Sequence, residues 1–142
     1  MLFRSMVSVH PDRTTGWIRM AGHLPPLLIS HGGVTELPTR PAAPLGLSEV
    51  RDWPGIPFRV SGSWSILLYT DGLIEGRIGK GSERLGSEAL MDLIRDALRG
   101  PDQTGEELLD QVIDRVRELN GGDLDDDLAV LALGFSSPYD HE

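Results

Sequence analysis

Ser65–Arg77, SILLYTDGLIEGR, constrains this chain more than any other stretch. Ile66, Leu67 and Leu68 form a short apolar run with Tyr69 and Thr70 behind it, the pattern of a buried strand. The run stops at Asp71-Gly72, so a carboxylate stands where a rigid strand ends. Gly72 lets the backbone turn there or approach another segment closely. Acids held at strand ends can serve a metal or a reacting group. An Asp-Gly junction also caps turns with no chemistry attached, and this stretch alone does not choose between the two.

A second acidic strand end lies near the C-terminus. Asp123-Leu124-Asp125-Asp126-Asp127 leads into Leu128–Phe135, LAVLALGF, which reads as a buried apolar strand. An EF-hand loop counted from Asp123 would need Gly at Leu128 and Glu at Gly134, so that assignment fails. A solvated acidic turn is one remaining reading. The other is a bound divalent cation, because three consecutive carboxylates repel one another and no Lys or Arg follows Arg117. A sandwich with the two strands side by side would bring Asp71 and Asp126 together. Oxygen-only ligands in a chain with no cysteine favour hard ions such as Mg²⁺ or Mn²⁺. Such an ion can activate water for hydrolysis and neutralise phosphate oxygens.

Composition narrows the partners. The 142 residues suit one domain, and 22 acids against 13 basic residues give a net charge of −9. Non-specific nucleic-acid binding is disfavoured, and a cation or a basic protein surface is the easier partner. The lack of cysteine excludes disulfide scaffolds, thiolate metal sites and thiol catalysis. No run reaches the ~18 apolar residues of a membrane span, and Met1–Met6 lacks a signal-peptide core. A cytoplasmic protein is the default expectation.

The remaining elements read as an α+β domain. Arg4–His10 and Trp17–Ala21 are strands joined by a turn over Pro11–Gly16, so the chain opens directly inside a strand, as if something preceded Met1. Leu27–Ile29 is a further strand, turned by His31-Gly32-Gly33 into Val34–Leu37. Pro25 and Pro26 at its entry suit an edge or a bend rather than a central strand. His23 reads as a metal ligand, a general acid or a structural residue. Pro38–Gly62 reads as an irregular surface excursion anchored by Leu45, Leu47, Val50, Trp53, Ile56 and Phe58. Ser87–Leu98 carries a helical apolar stripe with Ser87 as its N-cap, and Gly100-Pro101 stops it. Thr104-Gly105-Glu106-Glu107 has capping-box spacing for a second helix, ending near Asn120-Gly121.

In order, Ala21–Leu28 (AGHLPPLL), Pro44–Leu47 (PLGL), Leu67–Arg77 (LLYTDGLIEGR) and Asp126–Leu133 (DDLAVLAL) resemble the metal-dependent PPM-type serine/threonine phosphatases of the bacterial SpoIIE-like branch. The resemblance covers nearly the whole chain. It implies a β-sandwich flanked by helices, incomplete at the N-terminus, over residues 1–136, with 137–142 as a tail. It also implies a two-metal Mn²⁺/Mg²⁺ centre in which Asp71 and Asp126 are ligands and the catalytic carboxylates. Gly72 then permits the ligand's tight turn, and Asp127 is a neighbour or substitute ligand. The implied reaction is hydrolysis of phosphoserine or phosphothreonine by a metal-activated water. The implied substrate is a phosphorylated signalling protein such as an anti-sigma-factor antagonist.

Three departures from the family pattern qualify that expectation. The GD-x-x-GH-like segment with the bridging aspartate is absent, since the only Gly-Asp is Gly122-Asp123. Met20 stands where the family usually has Asn before AGH, and Ser61-Gly62-Ser63 stands where it has Pro-Gly-Asp. A fragment of a phosphatase domain, or a non-catalytic module binding a phosphoprotein through the same surface, is the alternative these departures raise. An exposed sheet edge and apolar face would then favour dimerisation.

Overall fold

A computed structural model describes residues 4–31, 33–47, 49, 52–100 and 105–137. Among these residues seven strands form two antiparallel sheets. β1 (Arg4–Val9), β2 (Thr15–Ala21) and β5 (Ile56–Arg59) make one, in the order β1-β2-β5. β3 (Leu27–Ser30), β4 (Gly33–Glu36), β6 (Trp64–Tyr69) and β7 (Val130–Phe135) make the other, in the order β4-β3-β6-β7. Two helices, α1 (Gly86–Leu98) and α2 (Gly105–Asn120), pack on the four-stranded sheet.

β6 sits inside the larger sheet with helices on one face and the smaller sheet on the other. That explains its near-continuous apolar run, since a strand covered on both faces has no polar side to alternate with. Leu67 and Tyr69 join Leu27 and Val34 against Leu90 and Ile94 of α1 and Val112 and Val116 of α2. Trp64 and Ile66 point the other way, into a second cluster with Ile18, Met20, Phe58 and Val60. At its centre the Trp64 ring stacks on Phe135 at 4.3 Å and meets Phe58 edge-on at 5.7 Å. The Trp64 indole N–H donates to the Arg13 carbonyl at 2.8 Å, so this buried ring leaves no polar atom unpaired.

Four expectations change. The Pro38–Gly62 excursion contains strand β5, where Ile56, Phe58 and the following Val60 face the core while Pro57 and Arg59 face out. Pro57 is tolerated because β5 is an edge strand. β3 is interior, since Pro25 and Pro26 precede the strand; the Pro26 carbonyl accepts the Leu37 N–H at 2.9 Å. Ser87 does not cap α1, because Leu85 holds that place without a side-chain cap bond. Backbone bonds dock the helix start instead, from Leu85 N–H to Gly76 and from Gly86 N–H to Ile74. Finally, β7 begins at Val130 and is an edge strand, with Leu131 54% and Leu133 37% exposed. Three strands cannot cover a four-stranded sheet to its margin. Thr104 and Pro101 lie outside the described residues.

Candidate metal centre

The β6–β7 register decides what happens at the acidic ends. Tyr69 pairs with Val130, and just beyond them the Thr70 N–H donates to the Ala129 carbonyl at 3.0 Å. The Ala129 N–H donates in return to the Thr70 hydroxyl oxygen at 3.0 Å. Asp71 and Asp126 therefore leave adjacent strands at the same end of the sheet. The chain then tightens into a 3-10 turn over Asp71–Leu73, and the Asp71 carbonyl accepts the N–H groups of both Ile74 and Glu75, each at 2.9 Å. That turn returns the Glu75 carboxylate to the side of Asp71, as residues four apart do in a helix. Oxygens of Asp71, Glu75 and Asp126 all lie within 4.8 Å of one another, and all three side chains are exposed.

Gly72 makes this convergence sterically feasible. Its backbone lies against the Asp126-Asp127 segment, and a Cβ there would overlap the Asp127 carbonyl oxygen and lie 3.1 Å from its carbonyl carbon. Of the two uses foreseen for this glycine, close approach is the one realised. Asp127 contributes through its backbone. Its carbonyl accepts the Thr70 hydroxyl at 3.3 Å and its N–H donates to Asp126 Oδ1 at 2.8 Å, which fixes the Asp126 carboxylate. The Asp127 carboxylate is not one of the three that converge.

Glu75 is the member of the group to which sequence reasoning gave no role. The signal was present in the four-residue spacing after Asp71, but it carries meaning only once Asp71 opens a helical turn. His23 is not one of the converging groups. Its ring Nδ1 lies 3.3 Å from the Leu24 carbonyl, and it borders a cavity of about 370 Å³ shared with Thr70 and Asp71. A second cavity, of about 210 Å³, opens on the other side of the group between Glu75, Arg84, Asn120, Asp125 and Asp126.

The donor set suits a hard divalent cation. It offers carboxylate oxygens only, spaced for one ion, on two segments clamped by backbone hydrogen bonds. Arg84 borders the group, yet its Nη1 donates to the Glu75 backbone carbonyl, at 2.5 Å, and among the described residues it forms no ion pair with these acids. Among the described residues none of the three carboxylates is held in an ion pair, a condition that favours a metal.

Comparison with known proteins bears on the fold around this group. The family model "Stage II sporulation protein E (SpoIIE)" matches residues 2–136. The crystal structure of the RsbU and RsbW domains of Rv1364c from Mycobacterium tuberculosis is similar at 26% identity and a TM-score of 0.75, covering 92% of this chain and 36% of that one. The SiaA-PP2C domain of Pseudomonas aeruginosa is similar at 24% identity and a TM-score of 0.73, covering 93% of this chain and 51% of that one. The phosphatase domain of the cell fate determinant SpoIIE from Bacillus subtilis, presoaked with Mn, is similar at 14% identity and a TM-score of 0.67, covering 94% and 56%. This chain thus spans between about a third and just over half of the length of these structures. No curated protein matches. No helix among the described residues is long and apolar enough to cross a membrane.

Proposed function

The chain belongs to the SpoIIE family of PPM-type phosphatase domains, and from that premise we propose that it is a metal-dependent phosphoprotein phosphatase. The observation that carries the proposal is the meeting of the Asp71, Glu75 and Asp126 carboxylates at the paired ends of β6 and β7. Asp71 and Asp126 hold Mn²⁺ or Mg²⁺, Glu75 completes the oxygen set, and Gly72 and Asp127 keep the two segments in contact. When bound, the ion supplies charge neutralisation and the acidification of water needed for attack on phosphorus. The protein's own contribution is orientation: the 3-10 turn aims Glu75, and the Asp127 N–H aims Asp126. The substrate is phosphoserine or phosphothreonine on a cytoplasmic signalling protein, in the manner of an anti-sigma-factor antagonist.

The test is titration calorimetry of Mn²⁺ into the full chain, followed by hydrolysis of p-nitrophenyl phosphate. Saturable binding abolished by Asp71→Asn and by Asp126→Asn supports the centre, and turnover lost in the same variants supports the enzyme. Binding unaffected by either substitution overturns the assignment.

One observation favours a second reading, a non-catalytic module that engages a phosphoprotein. Three carboxylates suit a single ion, and no GD-x-x-GH segment occurs in these 142 residues to supply a bridging aspartate for a second. Stoichiometric Mn²⁺ binding without turnover selects it. The edge of β1, unpaired among the described residues, and the outward Met6 and Trp17, 53% and 54% exposed, support association through the smaller sheet. A monodisperse monomer in light scattering rules that association out.

A further inference from the structure

Beside the acidic group, the cavity of about 210 Å³ has space for several water molecules at ~30 Å³ each. Five of its bordering side chains carry polar groups, and their chemistry and hydrogen bonds sort them. Glu75, Asp125 and Asp126 are acceptors. Asn120 is fully committed to holding the wall. Its Oδ1 accepts the Arg77 N–H at 2.9 Å, and its Nδ2 donates to the carbonyls of Gly122 at 3.3 Å and Asp123 at 2.8 Å.

Arg84 is different. One Nη1–H is used on the Glu75 carbonyl, which fixes the guanidinium at the cavity's border. The guanidinium carries five donors in a planar fork, so most remain for a ligand. The arginines on and beside the two helices are spent locally: Arg95 on Asp92, Arg99 on Asp96, Arg115 on Glu118 and Arg117 on Asp114, each three residues away, while Arg77, across the loop from Arg84, does not border the cavity. Among the described residues Arg84 has no such partner, although carboxylates border the same cavity.

We propose that Arg84 is a phosphoryl-binding residue: its free donors grip the non-reacting oxygens of a phosphomonoester whose remaining oxygen faces the cation held by Asp71, Glu75 and Asp126. This rests on the metal reading above, because without a cation the neighbouring carboxylates would repel the phosphate. Arginine suits the task, since its fork matches two phosphate oxygens at once while a lysine offers only a point charge. The metal then selects for phosphate and Arg84 fixes its orientation. The ligand class is a phosphomonoester dianion, and the side of the centre from which it enters is the side of the 77–84 loop.

The experiment measures two affinities on the full chain by calorimetry: Mn²⁺ alone, then O-phospho-L-serine at saturating Mn²⁺. Arg84→Ala is expected to leave Mn²⁺ affinity within about twofold and to weaken O-phospho-L-serine by about 10- to 100-fold, with Arg84→Lys recovering only part of the loss. Lys80→Ala, at the exposed tip of the same loop and outside the cavity, controls for net charge and should change neither affinity by more than about twofold. Equal loss in Lys80→Ala, or an Arg84→Ala that binds O-phospho-L-serine like wild type, overturns the proposal. An Arg84→Ala that loses Mn²⁺ in equal measure also overturns it, showing an anchor for Glu75. Absence of Mn²⁺ binding in the wild type would instead sink the metal reading itself, and this proposal with it.

Discussion

The two ends of the β6–β7 pair are built from the same register and do opposite things. At one end Trp64 faces Phe135 in a stacked pair, buried between the sheets, with its N–H satisfied. At the other, Asp71 two residues beyond Tyr69 and Asp126 four residues before Val130 stand with carboxylates exposed and mutually repelling. The first end is stable by itself. The second is tolerable only because the first, together with the backbone bonds at Thr70, holds the strands in place. A one-residue slip would turn every β7 side chain to the other face and separate the acids. Fold stability and site geometry are therefore separable by mutation, and the contrast can be tested end by end.

The largest stability effect belongs to the aromatic end. Trp64→Ala should cost about 3–5 kcal/mol, because it empties a buried ring site touching Phe58 and Phe135. Urea midpoints measure this directly, and a loss under about 1 kcal/mol would mean that the stack is not the clamp. Gly72→Ala comes next, at about 1–3 kcal/mol, since the added methyl must displace the Asp127 backbone. Here the damage should fall chiefly on Mn²⁺ affinity, whereas Trp64→Ala should lower stability while the folded fraction keeps its affinity. If both variants lose affinity in proportion to stability, the ends are not independent. Smaller still is Asp71→Asn. Removing one of three converging charges should raise the melting temperature of the metal-free chain and abolish the rise that Mn²⁺ gives the wild type. A metal-free chain destabilised by this change would show that Asp71 is primarily a turn residue.

The same contrast explains what the sequence made legible. The strands themselves follow from period, since β2 alternates Gly16, Ile18 and Met20 inward with Trp17 and Arg19 outward and β6 runs apolar because it is covered twice. The sandwich was implied by the family resemblance, and the Trp64–Phe135 stack was not foreseen. β5 was missed because prolines dominate its surroundings and Pro57 lies within it, which only an edge strand accepts. Asp71 and Asp126 were legible as strand ends with a shared chemistry. Glu75 was not, because its place depends on a single 3-10 turn that propensity does not specify. Ser87 misled for a related reason: the start of α1 is docked by backbone groups of residues 74 and 76, a tertiary contact with no local signature. The exposed margin of β7 was equally unreadable. Burial of Leu131 and Leu133 depends on how far the opposite sheet extends, and that is not written in the strand itself.

Tyr69 stands at the junction of the two regimes and gives the finest test. Its ring is buried on the helical side, and its hydroxyl is buried with no hydrogen-bond partner among the described residues. Burial, with Glu36 adding to it, pushes its pKa up to about 12 from the ordinary value of 10.0. A raised pKa means that the fold favours the protonated phenol. The contribution is therefore complete below pH ~10 and is lost as pH rises through about 12. Tyr69→Phe removes both the unpaired hydroxyl and the titration. At pH 7 it should be neutral or stabilising by up to ~1 kcal/mol. Between pH 10 and 12 its advantage over the wild type should widen, read as diverging urea midpoints. Parallel midpoints across that range would mean that the phenol ionises in the fold as freely as in the unfolded chain, so that the dry side of β6 extends no further than Leu67.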